Sequence, residues 1–189
     1  MEEKLTQQPS NCLKAVLFGP ESTGKTTLSA KLARHFDTVW VEEYMRVYLQ
    51  KKWDLYKEVC TPHDLMLIAK GQIKAENELS HIANKVLFCD TDLLELKVYS
   101  EAYYNGYCNP VLHKYALKNW YDIYFLTNID TPWVPDDLRD RPHDRQGMFN
   151  RFHGALVKNK RPFIILSGSE NERFETAISK INELLKLKL

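Results

Sequence analysis

The chain has 189 residues, 44% of them hydrophobic, which is enough for one α/β domain with a sizeable core. Its formal net charge of +1 excludes a chain-wide basic surface for nucleic acid, so we expect a small substrate that carries an anionic group. The four cysteines are widely spaced without a C-x-x-C pair, and no apolar run is long enough to span a bilayer. We therefore expect a cytoplasmic protein without a zinc site, a disulfide framework or a membrane contact.

The first predicted elements surround a glycine-containing loop. Residues 1–11 are polar and lack periodicity, so we expect a flexible N-terminus before a single domain at 12–189. An apolar run at 13–18 predicts a buried strand, and apolar residues recur at helical spacing after Lys25. Between them, residues 19–26 read Gly-Pro-Glu-Ser-Thr-Gly-Lys-Thr and match the G-x-x-x-x-G-K-[ST] phosphate loop. Strand, loop and helix follow in the order that this motif requires.

The phosphate loop predicts a site for ATP and Mg²⁺. Its backbone N–H groups and the start of the following helix face phosphate oxygens. Lys25 is predicted to reach the β- and γ-phosphates, and the Thr26 hydroxyl to take one coordination position on Mg²⁺. The predicted nucleotide-binding residues are Gly19, Glu21, Ser22, Thr23, Gly24, Lys25, Thr26, Thr27 and, in the turn after the last strand, Ser167.

A second, short strand at 38–41 ends in carboxylates. In an open parallel sheet the ligand crevice lies beyond the carboxyl ends of the strands. We therefore predict that Glu43, Tyr44 and Arg46 bind the substrate. The alternative is a solvated first helical turn, where acidic residues are favoured.

A third strand at 85–89 follows a long helix that begins at a predicted capping box of Thr61 and Asp64. This strand stops at Asp90-Thr91-Asp92. A carboxylate in this place is the expected partner of Thr26 on Mg²⁺, and we assign it to Asp90. Asp92 is then predicted to contact the substrate and to accept the proton of the attacking hydroxyl, although these roles can be reversed. Asp92 can also serve as the N-cap of the next helix.

That next helix ends in an aromatic cluster. Its four tyrosines either sandwich a flat base or belong to the core, and they are Tyr99, Tyr103, Tyr104 and Tyr107. A fourth strand at 121–127 precedes a segment that is rich in turn formers.

Residues 128–148 are predicted to form a lid over the phosphates. Arg139, Arg141 and Arg145 lie at its junction with the next helix, where they can stabilise charge that develops during phosphoryl transfer. The alternative is that they form ordinary surface ion pairs. A strand at 161–166 and a helix after Ser169 complete a predicted five-stranded parallel sheet flanked by helices.

Four segments together resemble the ribosylnicotinamide kinase domain of the bacterial NadR-type regulators. They are the phosphate loop, Glu43-Tyr44-x-Arg46, Asp90-Thr91-Asp92 and residues 130–139, which read Asp-Thr-Pro-Trp-Val-x-Asp-Asp-x-Arg. The resemblance implies a thymidylate-kinase-like P-loop NTPase fold and transfer of the γ-phosphate of ATP to the ribose 5′-hydroxyl of nicotinamide riboside. The multidomain members carry a DNA-binding segment and an adenylyltransferase domain, for which 189 residues leave no room. We therefore expect this chain neither to repress genes nor to make the dinucleotide.

The acceptor implied by the resemblance carries a flat, positively charged ring. Such a ring favours an electron-rich aromatic face with a carboxylate nearby, so we predict that Trp133 and Asp136 bind it. The alternative is that Trp133 anchors the lid hinge. We predict a Mg²⁺- and ATP-dependent small-molecule kinase acting on nicotinamide riboside; the alternatives are a kinase for another nucleoside or vitamin alcohol and a regulatory P-loop ATPase. Whether the protein forms a homo-oligomer is left open.

Overall fold

Strands and helices alternate along most of the chain. The structure, a computed structural model, describes residues 5–139 and 141–188. The elements are β1 (Leu13–Phe18), α1 (Lys25–His35), β2 (Trp40–Val41), α2 (Tyr44–Tyr56), α3 (Pro62–Ser80), β3 (Val86–Asp90), α4 (Leu93–Tyr103), α5 (Pro110–Lys118), β4 (Ile123–Thr127), α6 (Arg145–Lys158), β5 (Phe163–Leu166) and α7 (Glu170–Leu187).

The strands form one parallel sheet in the order β2-β3-β1-β4-β5. β1 is central, with Leu17 opposite Asp90 of β3 and Phe18 opposite Leu126 of β4. Because all strands run in the same direction, their carboxyl ends meet at one edge, where α/β sheets bind ligands. The predicted five-stranded parallel sheet is confirmed.

Helices cover both faces of the sheet. Val16 and Phe18 pack towards α4 and α6, and the Phe18 ring lies edge-to-face against Phe152 at 5.1 Å. Leu17 points to the opposite face and packs with α1 and α7. Burial on both faces explains why β1 is a continuous apolar run rather than an alternating pattern. In the described part of the chain, no helix has both the length and the hydrophobicity needed to cross a membrane.

A cluster of hydrogen bonds around Asp64 fixes the start of α3. Its Oδ2 accepts from the N–H of Thr61 at 2.8 Å, the Thr61 hydroxyl at 2.7 Å and Lys52 Nζ at 2.8 Å, while Oδ1 accepts from the Tyr48 hydroxyl at 2.9 Å. Burial opposes the charge of this carboxylate, but the hydrogen bonds outweigh it and lower the pKa of Asp64 to about 2. The predicted capping box is therefore present and is extended by two residues of α2.

The described part of the N-terminal segment does not match the predicted flexible lead-in. Leu5 is fully buried among residues of α3, α4 and α5, and its carbonyl accepts a hydrogen bond from Asn119 Nδ2 at 3.2 Å. Gln7 Nε2 donates to Glu76 Oε1 at 2.8 Å. One apolar residue in a polar stretch gives no periodic signal, but here it is enough to anchor the segment. Residues 1–4 lie outside the described residues.

A second difference concerns the segment after β2. Tyr44 and Arg46 do not belong to an extended strand end but to the first turn of α2, and Glu43 is the N-cap residue of this helix. All of α2 is described, and none of its residues is buried. The alternative predicted for this segment, a solvated first helical turn, therefore describes it.

Candidate active site

The phosphate loop joins β1 to α1 in a conformation that needs its glycines. Gly19 has a φ of +134°, and a Cβ at this position would lie 2.8 Å from Thr127 Oγ1. Gly24 precedes α1 with a φ of +83°. Thr23 Oγ1 donates to the carbonyl of Pro20 at 2.7 Å, and the hydroxyls of Thr23 and Thr127 are 2.7 Å apart. The loop is therefore fixed to the end of β4.

Lys25 is held inside this loop by three acceptors. Its Nζ donates to the carbonyls of Gly19 at 2.7 Å and Pro20 at 2.9 Å, and lies 3.2 Å from Glu95 Oε1. Glu95 Oε2 in turn accepts from the N–H of Gly19 at 3.2 Å. Burial opposes the charge on Lys25, but the Glu95, Glu43 and Asp90 carboxylates outweigh it and raise the pKa of this ammonium group.

Asp90 and Thr26 meet at the end of β3. Thr26 Oγ1 donates to Asp90 Oδ2 at 2.6 Å, and Asp90 Oδ1 is buried with no hydrogen-bond partner among the described residues. Burial, reinforced by the Glu43 carboxylate, raises the pKa of Asp90. A hydroxyl beside a carboxylate with a spare buried oxygen is a donor set that fits Mg²⁺, which prefers oxygen ligands.

A cavity of about 510 Å³ begins at the phosphate loop and extends beneath α2 and α4. Its lining combines polar side chains, among them Glu43, Arg46 and Arg139, with apolar and aromatic ones. The apolar and aromatic lining residues include Met45, Leu49, Trp53, Leu65, Tyr99, Tyr103 and Tyr104. This volume and this mixed lining match a small-molecule site.

Many predicted site residues meet at this cavity. Glu21, Ser22, Thr23, Gly24, Lys25, Thr26 and Thr27 of the phosphate loop line it, as do three of the four clustered tyrosines. Tyr107 is not among the lining residues: it lies beyond the end of α4, where its carbonyl accepts a hydrogen bond from Ser100 Oγ at 2.8 Å. Tyr99 and Tyr104 also pack against the core, and the Tyr99 ring lies edge-to-face against Phe152 at 5.3 Å, so both predicted alternatives describe features of these tyrosines.

Asp92 lies away from the cavity, contrary to its predicted substrate and proton-transfer roles. Its Oδ1 accepts from the N–H of Glu95 at 2.9 Å and caps α4, and its Oδ2 accepts from the Tyr124 hydroxyl at 2.8 Å. Only 3% of the residue is exposed. Burial raises the pKa of Asp92 to about 7. Asp92 is therefore the N-cap residue of α4, which was the predicted alternative to its chemical role.

Tyr44 also differs from its predicted substrate-binding role. Its ring packs on Gly71 of α3, where a Cβ would lie only 2.1 Å from a ring carbon. Its N–H donates to Gln72 Oε1 at 2.8 Å. Tyr44 therefore holds α2 against α3, and this close approach requires glycine at residue 71.

The predicted aromatic platform of the lid is occupied by protein groups. The Arg145 guanidinium lies over the Trp133 ring, 5.7 Å from its centroid. Asp136 accepts from Arg46 Nη2 at 2.6 Å instead of lining the cavity. The indole that lines the cavity is Trp53 of α2, which sequence reasoning missed. The spacing of Met45, Leu49 and Trp53 by four residues was the available signal, since it places them on one helical face.

The three lid arginines have different surroundings. Arg139 lines the cavity and donates from Nη1 to the carbonyl of Val134 at 2.5 Å. Arg141 pairs with Asp144 at 3.0 Å and lies over the Tyr103 ring at 4.1 Å. Arg145 donates to the carbonyl of Thr131 at 2.8 Å. Arg139 is thus the lid arginine that faces the cavity.

The lid is also tied to the phosphate loop. Ser22 Oγ accepts from the N–H of Val134 at 2.9 Å, and Glu21 Oε1 accepts from the N–H of Arg141 at 3.2 Å. Movement of the lid must therefore break contacts with the loop that surrounds the phosphates.

Arg173, a buried residue of α7, connects the segments around Ser167, which is predicted to bind the nucleotide. Ser167 is exposed, and its Oγ accepts from Asn128 Nδ2 at 3.1 Å. Arg173 of α7 donates to the carbonyls of Thr23 at 2.9 Å and Gly168 at 3.0 Å. It also pairs with Asp130. Arg173 thus joins the phosphate loop, the lid and the turn after β5, a role without a sequence signal.

Comparisons with known proteins agree with this architecture. Residues 14–173 match the sequence profile of the family described as AAA domain. The trifunctional NAD biosynthesis/regulator protein NadR of Salmonella typhimurium is 28% identical over 172 residues, which cover 89% of this chain and 42% of that protein. The Escherichia coli protein of the same name gives the same values. The chain thus spans less than half the length of these curated relatives.

Solved structures show the same fold. The crystal structure of NadR protein in complex with NR matches with a TM-score of 0.72 at 21% identity, over 92% of this chain and 51% of that chain. Deoxyadenosine kinase from M. mycoides with bound dCTP matches with a TM-score of 0.65 at 17% identity, over 90% of this chain and 100% of that chain. Thymidylate kinase from Candida albicans matches with a TM-score of 0.60 at 12% identity, over 96% of both chains. The predicted P-loop fold and the resemblance to the NadR-type kinase domain are confirmed.

Proposed function

We propose that this chain, which belongs to the AAA domain family over residues 14–173, is an ATP-dependent kinase. The proposed reaction is the phosphorylation of nicotinamide riboside to nicotinamide mononucleotide. The observation that carries this proposal is a cavity of about 510 Å³ whose lining includes residues 21–27 of the phosphate loop, the polar side chains of Glu43, Arg46 and Arg139, and several aromatic side chains. The four free cysteines fit the cytoplasmic location that we propose with it.

The donor end of the proposed reaction consists of the phosphate loop and its neighbours. The N–H groups of the loop and the start of α1 would bind the phosphates of ATP. Thr26 and Asp90 would hold Mg²⁺, because Asp90 offers a buried oxygen without a protein partner. When bound, this ion neutralises negative charge on the phosphate oxygens. Within residues 5–139 and 141–188, no three His, Cys, Asp or Glu side chains cluster as a metal site, so phosphates and water would complete the coordination.

Glu43 is the proposed proton acceptor. It lines the cavity between the phosphate loop and the aromatic end, whereas Asp92 is enclosed by its own hydrogen bonds. In the proposed step, the proton of the 5′-hydroxyl moves to Glu43 while the 5′-oxygen bonds to the γ-phosphorus and the bond to the β-phosphate oxygen breaks. Lys25 and Arg139 would stabilise the negative charge that develops on the phosphate oxygens.

The aromatic lining of the cavity supports a flat, positively charged ring as the acceptor. Trp53 and Tyr99 line the cavity, and Glu58 lines the same space with a carboxylate. An indole face is the strongest aromatic partner for a cation. In the structure Lys57 Nζ lies 5.3 Å from the centroid of the Trp53 ring, and the acceptor ring would take the place of this lysine. Trp53, which lines the cavity, is therefore the proposed ring contact instead of Trp133.

A panel of acceptors tests the proposal. The purified protein is incubated with ATP, Mg²⁺ and one nucleoside at a time, and mass spectrometry detects the phosphorylated product. The panel contains nicotinamide riboside, uridine, cytidine, adenosine and the deoxynucleosides, and Thr26→Ala is the variant whose rate should fall with every acceptor when Mg²⁺ is limiting. We expect nicotinamide riboside to give the highest kcat/KM. Preference for another nucleoside would refute the acceptor, and ATP hydrolysis without any phosphorylated nucleoside would favour a regulatory ATPase.

A further inference from the structure

One carboxylate in the lid holds two arginines at once. Asp136 Oδ2 accepts a hydrogen bond from Arg46 Nη2 at 2.6 Å and lies 3.2 Å from Arg139 Nε. Asp136 Oδ1 accepts from the N–H groups of Leu138 at 3.0 Å and Arg139 at 3.1 Å. These four contacts match the acceptor capacity of a carboxylate. Both arginines therefore depend on the same side chain for their orientation.

The two arginines enter the cavity from different parts of the molecule. Arg46 belongs to the first turn of α2, the helix that also carries Met45 and Trp53 to the acceptor end. Arg139 belongs to the lid, whose backbone is tied to the phosphate loop through Ser22. Asp136 is thus a direct contact between the acceptor side and the donor side of the cavity.

The way in which α2 is attached to the core determines whether the contact between Arg46 and Asp136 can transmit a movement. Every residue of α2 is described, and none is buried. Tyr44, Met45, Tyr48 and Leu49 are only half-buried against the core. An element with few buried apolar contacts can open and close at low free-energy cost. When α2 moves, the contact between Arg46 and Asp136 transmits the movement to Arg139.

We propose that Asp136 is a positioning residue that couples α2 to the lid, so that closure of α2 on the acceptor also places Arg139 against the transferring phosphate. This inference rests on the proposed kinase function, and it makes the position of Arg139 dependent on the binding of the acceptor. When α2 moves away from the position that the structure shows, Asp136 no longer holds Arg139 in its orientation towards the cavity. Transfer of phosphate to water is then slow, because the cavity becomes fully catalytic only after the acceptor has bound.

The isosteric variant Asp136→Asn tests the coupling kinetically. It keeps the size of the side chain and removes the charge that holds both arginines. We expect kcat for acceptor phosphorylation to fall about tenfold, the KM for ATP to stay within about twofold, and acceptor-free ATP hydrolysis to fall by a much smaller factor than phosphorylation does. The matched control is Asp54→Asn, an exposed carboxylate on α2 that contacts Gln50, and it should retain full activity. Unchanged kcat in Asp136→Asn, or equal loss of transfer and hydrolysis, would overturn the proposal.

A double variant shows whether Asp136 acts through Arg139. If it does, Asp136→Asn combined with Arg139→Ala is no slower than Arg139→Ala alone, because the second change removes what the first one positions. Losses that multiply would show two independent roles and overturn the coupling.

Hydrogen exchange tests the same contact without any turnover. In Asp136→Asn, the amides of the lid at 131–139 and those of the first turns of α2 should both exchange faster than in the unmodified protein. In Asp54→Asn both segments should exchange as in the unmodified protein. Faster exchange in one segment only would overturn the coupling. If the unmodified protein phosphorylates no nucleoside but both segments respond together, the coupling is supported and the proposed function alone is refuted.

Discussion

Replacing Asp92 and Glu43 one at a time distinguishes a carboxylate that stabilises the fold from one that takes part in phosphoryl transfer. Asp92 caps α4 and accepts from the fully buried Tyr124 hydroxyl. Glu43 faces the cavity. Asp92→Ala is therefore expected to lower the free energy of unfolding, and Glu43→Gln to lower the rate of phosphoryl transfer.

The cost of Asp92→Ala follows from its two hydrogen bonds. Loss of the helix cap costs about 1 kcal/mol, and a buried Tyr124 hydroxyl without a partner costs about 1–3 kcal/mol more. For a chain of this length, the sum of about 2–4 kcal/mol lowers Tm by roughly 5–15 °C. Asp92→Asn keeps an oxygen for the cap and an amide for Tyr124, so it should cost less than about 1 kcal/mol. Both variants also remove a buried carboxylate whose ionisation lowers the stability of the fold as the pH rises from its usual pKa of 3.8 to about 7, so the loss in Asp92→Ala should be largest at low pH.

Thermal unfolding and initial rates measured on the same preparations provide the assay. Glu43→Gln should lower kcat by about a hundredfold or more, since a general base contributes 10²–10⁴-fold, and should leave Tm nearly unchanged. Glu42→Gln is the matched control, because Glu42 is exposed beside the site. The assignment is refuted if Asp92→Asn loses the rate at full stability while Glu43→Gln keeps it.

Four further predictions concern the metal site, the acceptor pocket and the packing. Thr26→Ala should raise the Mg²⁺ concentration for half-maximal rate by about tenfold or more, and Thr26→Ser should restore it. Trp53→Leu should raise the KM for nicotinamide riboside about tenfold, as expected for a desolvated cation–π contact, and Trp133→Leu should leave it unchanged; equal effects would discard Trp53 as the ring partner. Gly71→Ala should lower the free energy of unfolding by about 1–3 kcal/mol in urea titrations, because the added methyl group overlaps an aromatic ring. Asp64→Asn should cost about 2 kcal/mol at neutral pH. Because the folded-state pKa of Asp64 is below its usual 3.8, this difference should persist above pH 4 and vanish as the pH falls through about 2; a pH-independent difference would contradict the proposed cause.

The phosphate loop and the sheet could be predicted from sequence because their signals are local. The loop motif needs particular residues at fixed spacing, and β1 is apolar except for Lys14 because both of its faces are covered. The capping boxes of α3 and α7 are local in the same sense, and both are present.

The acceptor pocket could not be predicted in the same way, because it depends on how α2 lies across α3. Trp53 reaches the cavity only because Tyr44 packs closely on Gly71. Glu95 was missed for a related reason: an acidic residue in the first turn of a helix usually faces water, but this one is buried beside Lys25. Asp92 was predicted as a reactive group because it follows a strand end. Its carboxylate instead accepts a hydrogen bond from Tyr124, which lies far away in the sequence on β4, so the sequence around Asp92 does not indicate this contact.

The central position of β1 determines when the chain can become ordered during synthesis. Leu13 pairs with Val86 of β3, and Ala15 pairs with Ile123 of β4, so both neighbours of β1 are made long after it. At a synthesis rate of about 5–20 residues per second, this apolar strand waits roughly 5–20 s for its second partner. The phosphate loop must wait as well, because Thr127 at the end of β4 fixes Thr23. The nucleotide site therefore forms late, and the nascent chain exposes the largely apolar β1 until then.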